Sequence, residues 1–259
     1  MTYVVHRHVA TLTLNRPARG NAWTGAMEVA YRRAVAAAGD DPDVGAIVVT
    51  GAGRSFCVGA DSRALDTIAA RGAYDDGTAG GVSPDQRGRH STLWEVPKPV
   101  IAAINGAAAG IGLVIACFAD LRIAAAGAKL TTSNARLGLP AELGLSWLLP
   151  RITGTTHAAD LLLTSRVILA EEGLTMGLLN RVVPSDRLRD DAQAWAEEIA
   201  INLAPSSVRT VKAQLYADLR GTLDEAEARS QSHLAAMVGS PDFTEGVSAL
   251  AERRSPRFR

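Results

Sequence analysis

The chain has 259 residues, enough for one large domain or two, and its 47% apolar content supplies a sizeable core. Lysine plus arginine and aspartate plus glutamate balance at 27 each, so the formal charge is zero and no electrostatic footprint for nucleic acid or an anionic membrane is present. No run reaches the ~18 uninterrupted apolar residues of a membrane helix, and the N-terminus lacks the basic, apolar and small-residue succession of a secretory signal, so a cytoplasmic protein is expected.

In chain order, His6 and His8 come first as a pair two residues apart. They would share one face of a strand, but no third ligand has suitable spacing, so exposed strand histidines are expected rather than a metal site. Val9 to Leu14 and Gly45 to Thr50 read as strands, each closed by a proline or glycine signal. Between them, Thr24 stands where an N-cap opens a helix to about Ala38, with Met27, Ala30, Tyr31, Ala34 and Val35 at helical spacing. Residues 62–92 differ from their surroundings, because Arg71 to Pro84 is too rich in glycine and polar residues to offset ordering entropy. The segment is either a surface loop or a lid that closes over a ligand, and His90 at its edge either reaches the pocket or, as the favoured reading, is a solvated loop histidine. Val100 to Ile104 predicts a buried strand and Ile111 to Phe118 a buried helix. From Asp186 onward the pattern is wholly helical. Asp186 is expected to cap a helix presenting Ala192, Trp195, Ala196, Ile199 and Leu203, and Ser206 to open another to about Leu219. Leu223 to Val238 forms a third, and Ser240-Pro241 starts a last short one. Cys57 and Cys117 have no CxxC partner and read as small buried side chains.

Two segments carry the functional information. Ser55-Phe56-Cys57-Val58-Gly59-Ala60-Asp61 and Asn105-Gly106-Ala107-Ala108-Ala109-Gly110-Ile111-Gly112 each bring small residues to a place where a backbone N–H must approach a ligand atom, which glycine permits by lacking Cβ. Two such donors on one carbonyl oxygen stabilise an enolate or tetrahedral oxyanion by roughly 3 to 4 kcal/mol each. A helix starting at Ile111 adds the unsatisfied donors of its N-terminus. Phe56 and Ile115 stand where GxGxxG needs its last glycine, and neither GxSxG nor a Walker sequence occurs, which argues against a dinucleotide fold, a serine hydrolase and a P-loop enzyme.

Those loops, read with their neighbours, resemble the crotonase family, the enoyl-CoA hydratases and isomerases. The resemblance is carried in order by Leu14-Asn15-Arg16-Pro17 with Asn21-Ala22, by Val48 to Asp61, by Pro97 to Gly106, by Asp120 to Ala124, by Leu148-Leu149-Pro150-Arg151 with Gly154, and by Gly177 to Val183. It implies an α/β fold, a crotonase-like spiral of ββα repeats over residues 1–200 that binds acyl-CoA, followed by a helical oligomerisation region over 201–259 that builds homotrimers or hexamers. It also implies an acyl-CoA thioester as the small-molecule partner and no cofactor or metal beyond the coenzyme A of the substrate.

The site residues follow from the same resemblance. The amides of Ala60 and Ile111, presented by Gly59 and Gly110, form the oxyanion hole. Ala18 and Arg19, then Asp61 and Arg63, fall on the nucleotide and pantetheine path, although the two arginines equally read as solvated surface groups. The family's two hydratase glutamates fall at Val114 and Asn134, neither of which exchanges protons, so hydration by paired carboxylates is not expected, and Asn134 is counted with Gly59 and Gly110 among the substrate-binding residues. Glu142 stands where some family isomerases and the aryl-CoA dehalogenases carry a catalytic Asp. In an apolar pocket its pKa would rise by desolvation, which suits moving a proton from one carbon to another, as in an enoyl-CoA isomerase. A Glu142 that attacks as a nucleophile, in a thioester hydrolase or dehalogenase, and a non-catalytic acyl-CoA-binding protein are the alternatives. Trp94 and Trp147 line an aromatic acyl pocket or belong to the core.

Overall fold

A computed structural model describes residues 1–71 and 90–258. The chain opens with β1 (Thr2–His6) and β2 (Val9–Leu14), enters α1 (Gly25–Asp40), and continues through β3 (Ala46–Gly51) and β4 (Ser55–Cys57) to α2 (Ser62–Arg71). A 3-10 turn (His90–Trp94) then leads to β5 (Val100–Ile104), β6 (Ala107–Ala109), α3 (Ile111–Phe118), β7 (Leu121–Ala125) and β8 (Lys129–Thr131). After α4 (Leu145–Thr164), β9 (Ile168–Leu169), α5 (Ala170–Thr175) and β10 (Arg181–Val183) come α6 (Leu188–Asn202), α7 (Pro205–Asp218), α8 (Leu223–Met237) and α9 (Pro241–Glu252).

The strands form two sheets, one ordered β1-β2-β3-β5-β7-β10 and the other β4-β6-β8-β9. Among the described residues only the β1–β2 and β8–β9 pairs are antiparallel. The inner strands β3 and β5 of the larger sheet are buried on both faces, so they read as continuous apolar runs. Within β3 the period of two still sorts the side chains: Ile47 and Val49 join the main core, whereas Ala46 and Val48 face Leu188, Ala192, Ala196 and Ala200 of α6. Those four α6 residues recur every fourth position, and the alanines let the helix lie close to the sheet.

Local signals account for several boundaries. Thr24 accepts the Met27 N–H at 3.3 Å and caps α1. Ser240 accepts the Phe243 N–H at 3.2 Å with Pro241 behind it, and Thr222 with Glu225 forms a full capping box on α8. Three expectations are corrected. Residue 187, not Asp186, precedes α6, because the Arg187 N–H closes a turn on the Pro184 carbonyl at 2.9 Å. Ser206 lies inside α7, whose first residue is Pro205, and its hydroxyl is bonded to Asp242 of α9 instead. His8 is not on the strand of His6: it turns at φ 63° with its Nδ1 2.8 Å from the Asp43 carbonyl. The glycine-rich run expected to be a loop or lid lies, from residue 72 to 89, outside the described residues, while 62–71 is helical.

Helix α7 is fastened to the core through a buried lysine. Lys212 of α7 donates to the carbonyls of Leu93 and Lys98 and pairs with Asp120 at 2.7 Å, and Tyr216 donates to the other Asp120 oxygen at 2.6 Å. Burial pushes the Lys212 ammonium below its ordinary pKa, against the pull of Asp120. Beyond that anchor α8 and α9 leave large apolar side chains in solvent, among them Leu223 at 72%, Leu234 at 64% and Leu250 at 81% exposure.

Candidate active site

Strands β4 and β6 are parallel neighbours, so the loops that leave their C-terminal ends emerge side by side. The backbones almost touch: a Cβ on Gly110 would stand 3.8 Å from the Gly59 Cα, and one on Gly59 would stand 3.4 Å from the Ala109 carbonyl oxygen. In the first loop Trp23 bridges Ala60 in parallel fashion, its N–H donating to Gly59 O at 2.8 Å and its carbonyl accepting from Asp61 N at 2.9 Å. That pairing uses the groups on either side of Ala60 and turns the Ala60 N–H away from the bridge. In the second loop Gly110 sits at φ 49° and ψ −122°, a conformation open to glycine, and starts α3 without a side-chain cap. Among the described residues, neither the Ala60 nor the Ile111 N–H has a protein acceptor. Ala60 is exposed and Ile111 half-buried.

Side chains hold the two loops in place. Gly112 lets α3 lie directly on β4, since a Cβ there would fall 2.1 Å from the Cys57 carbonyl oxygen. Asn21, fully buried at φ 57°, donates to the carbonyls of Ala52 and Ser55 and accepts from Arg16 N. Asn105 accepts from Gly51 N and donates to Gly53 and Ser55. Both asparagines brace the turn that feeds β4 and hence Ala60. The sequence signalled them only as motif members, and their roles follow from contacts 31 to 54 positions away. Cys57 and Cys117 are buried free thiols, and burial raises each to about 11.

A cavity of about 530 Å³ is lined by Arg16, Arg19, Thr24, Asp61, Arg63, Ala64 and Thr67. Asp61 is bound by Arg16 at 2.9 Å and by the Arg63 N–H at 3.1 Å, and these bonds hold its carboxyl below the usual range. Arg19 lies 3.8 Å from Asp61 and donates to Ser62. The Arg63 guanidinium has no partner among the described residues, and Ala18 is exposed beside Arg19. The structure therefore gathers Arg19, Asp61 and Arg63 in one cationic recess next to the first loop.

The second recess, about 280 Å³, is lined by His90, Ser91, Trp94, Phe118, Leu143, Gly144, Trp147 and Arg220. Glu142 immediately precedes two of these residues. Its surface is exposed, yet the protein around its carboxyl withdraws enough water to raise its pKa, and its side chain has no partner among the described residues. Val114 is buried in the core at 3% exposure. Asn134 is 9% exposed and bonded to Ser165 Oγ at 3.4 Å, within a network that also holds Thr132 and Ala135 N. A carboxyl is thus missing at both positions, and Asn134 is occupied by protein contacts. His90 corrects the expectation of a solvated loop residue: it is 3% exposed, packed between Trp23 and Phe118, and burial lowers its pKa to about 4. Phe118 and Arg220 as lining residues went unread, because they come from the end of α3 and from just beyond α7, segments remote along the chain. Among the described residues no cluster of His, Cys, Asp or Glu could hold a metal ion, and no helix is long and apolar enough to cross a membrane.

Comparison with known proteins shows the family and the fold. Residues 5–259 match the family model described as enoyl-CoA hydratase/isomerase. The chain is 36% identical to the (E)-benzylidenesuccinyl-CoA hydratase of Thauera aromatica, covering 100% of this chain and 98% of that protein. It is 34% identical to the 1,2-epoxyphenylacetyl-CoA isomerase of Escherichia coli, over 98% of this chain and 96% of the other. Among solved structures it matches an enoyl-CoA hydratase from Polaromonas sp. JS666 with a TM-score of 0.90 and 28% identity, over 100% and 99% of the two chains. The expected crotonase-like α/β fold is borne out.

Proposed function

The chain belongs to the enoyl-CoA hydratase/isomerase family, and from that premise we propose that it moves a proton beside the thioester of an acyl-CoA. The observation that carries this reading is the pair of unpartnered amides, Ala60 and Ile111, on adjoining loops at the ends of two neighbouring parallel strands. A thioester carbonyl oxygen placed between them gains its negative charge where donors already wait, with the N-terminus of α3 adding to the field. Glu142, as carboxylate, takes a proton from a carbon conjugated to the thioester, the electron pair moves onto the carbonyl oxygen as an enolate, and the same carboxyl returns the proton at another carbon. Its raised pKa suits a group that must hold the proton between the two steps. Neither step calls on a metal or redox cofactor. The coenzyme A phosphates are assigned to Arg19 and Arg63 in the recess beside Asp61.

Isomerisation is favoured over hydration because Val114 and Asn134 supply no second carboxyl to activate water, although the chain is similar both to a hydratase and to an isomerase. Incubation with a panel of enoyl-CoA esters in deuterated water decides between them. Isomerisation moves the double bond without added oxygen, with deuterium at the α or γ carbon to the extent that the carboxyl exchanges its proton with solvent before returning it. A product heavier by one water would assign hydration instead.

The region 201–259 is proposed to assemble three copies of the chain, or two such trimers. Its apolar side chains in solvent, and an apolar groove of about 500 Å³ lined by residues such as Val211, Leu234, Phe243, Val247 and Leu250, support a second copy of this chain as the cover.

A further inference from the structure

We propose that the recess beside Glu142 takes an aryl acyl group carrying a hydroxyl, with the ring among Trp94, Phe118 and Trp147 and the hydroxyl on Nε2 of His90. The inference deepens the thioester reading and rests on it.

Aromatic residues make up only 5% of the chain, yet three rings face one recess, so composition alone does not produce the wall. Their centroids are spaced for tilted aromatic packing, 5.2 Å between Trp94 and Phe118 and 5.9 Å between Trp94 and Trp147. Both indoles are fixed from behind. Tyr216 stacks on Trp94 at 4.3 Å, the Trp94 N–H donates to the Phe118 carbonyl at 3.1 Å, and the Arg151 guanidinium lies 3.8 Å over Trp147. A site held this way orders few side chains when a flat ligand enters.

Size and reach agree. A cavity of about 150 Å³ suffices for benzene in another protein, so about 280 Å³ holds a ring with a short linker and one substituent. From Ile111, whose amide meets the carbonyl, to Phe118 the helix rises about 10 Å, and the Phe118 side chain leans back towards that amide. A ring only a few carbons from the thioester therefore falls among the aromatic residues.

The hydroxyl is argued from a separate observation. Nε2 of His90 is buried without a partner among the described residues, although the residue lines the recess. A buried polar atom left unpaired is costly, and a ligand hydroxyl, which both donates and accepts, completes it in either tautomer. Glu28 and Arg32 are the charged groups facing this imidazole, and burial keeps it neutral near pH 7.

The test is calorimetric binding of saturated thioesters that undergo no net reaction: nonanoyl-CoA, 3-phenylpropanoyl-CoA, its three ring-hydroxy isomers, and coenzyme A. The expected result is 3-phenylpropanoyl-CoA tighter than nonanoyl-CoA by about tenfold, and one hydroxy isomer tighter again by about fivefold to tenfold. His90→Phe should erase the hydroxyl gain and keep the ring preference. In the unaltered protein, the imidazole ¹⁵N resonance should move with that isomer and not with the unsubstituted ester, which keeps the test valid should the variant not fold. Equal binding of nonanoyl-CoA and the aryl esters overturns the proposal while leaving the thioester reading intact, as does a hydroxyl gain that survives in His90→Phe. Binding of none of these compounds overturns both.

Discussion

Glu142 concentrates the proposed chemistry in one carboxyl, so its replacement separates chemistry from binding. Glu142→Gln keeps the size and removes proton exchange, and turnover should fall ~10² to 10⁴-fold with ligand affinity nearly intact, as steady-state kinetics and calorimetry would show. Because desolvation raises this carboxyl, the acid limb of the wild-type pH profile should lie above the ordinary carboxylate value of 4.5 and vanish in the variant. Near-normal turnover would remove Glu142 from the mechanism. His90 supplies a second residue-level expectation. Its folded pKa of about 4 lies below the ordinary 6.5, so between those values the unfolded chain binds the extra proton and stability falls as pH drops, by up to about 3 kcal/mol. Urea midpoints of wild type and His90→Phe should converge or cross over that interval, and parallel curves would contradict the burial. Glu142 and Ala60 stand out in the sequence because each sits at a fixed offset inside an ordered set of motifs, and their proposed roles await experiment. His90 does not stand out, because a polar run precedes it in sequence and its burial comes from Trp23 and Phe118, residues remote along the chain.

Elements were most legible where the buried run was long or the cap explicit. β2, β5 and α3 were read to the residue, and Thr24 and Ser240 cap the helices they were assigned. Polar residues alone misled: Asp186 and Ser206 look like caps, but a turn closed by Arg187 and a proline at the first position of α7 set those ends. Nor does local sequence show that β4 and β6 pair, which is what brings the two loops together. The contact between α3 and β4 can be tested at Gly112. With a Cβ placed 2.1 Å from the Cys57 carbonyl oxygen, Gly112→Ala forces the helix off the strand. The expected loss is at least about 3 kcal/mol in urea unfolding, together with loss of activity. A variant of native stability would show that the helix does not lie as described.

At the scale of the whole molecule, the exposed apolar faces of α8 and α9 support the proposed assembly. Light scattering after size exclusion should give the mass of three or six chains, and removal of the residues after Gly221 should give dissociated or insoluble protein. A stable monomer at micromolar concentration would contradict it. No pattern of hydrophobic spacing gives a stoichiometry; the expectation of three or six chains rests on the resemblance. The central claim is that two backbone amides, brought together by the pairing of β4 with β6, receive one thioester oxygen. A crystal structure of the protein with an unreactive acyl-CoA tests this most directly. The thioester oxygen should lie within about 3.2 Å of both the Ala60 and Ile111 nitrogens, and an oxygen more than about 3.5 Å from either would contradict the account.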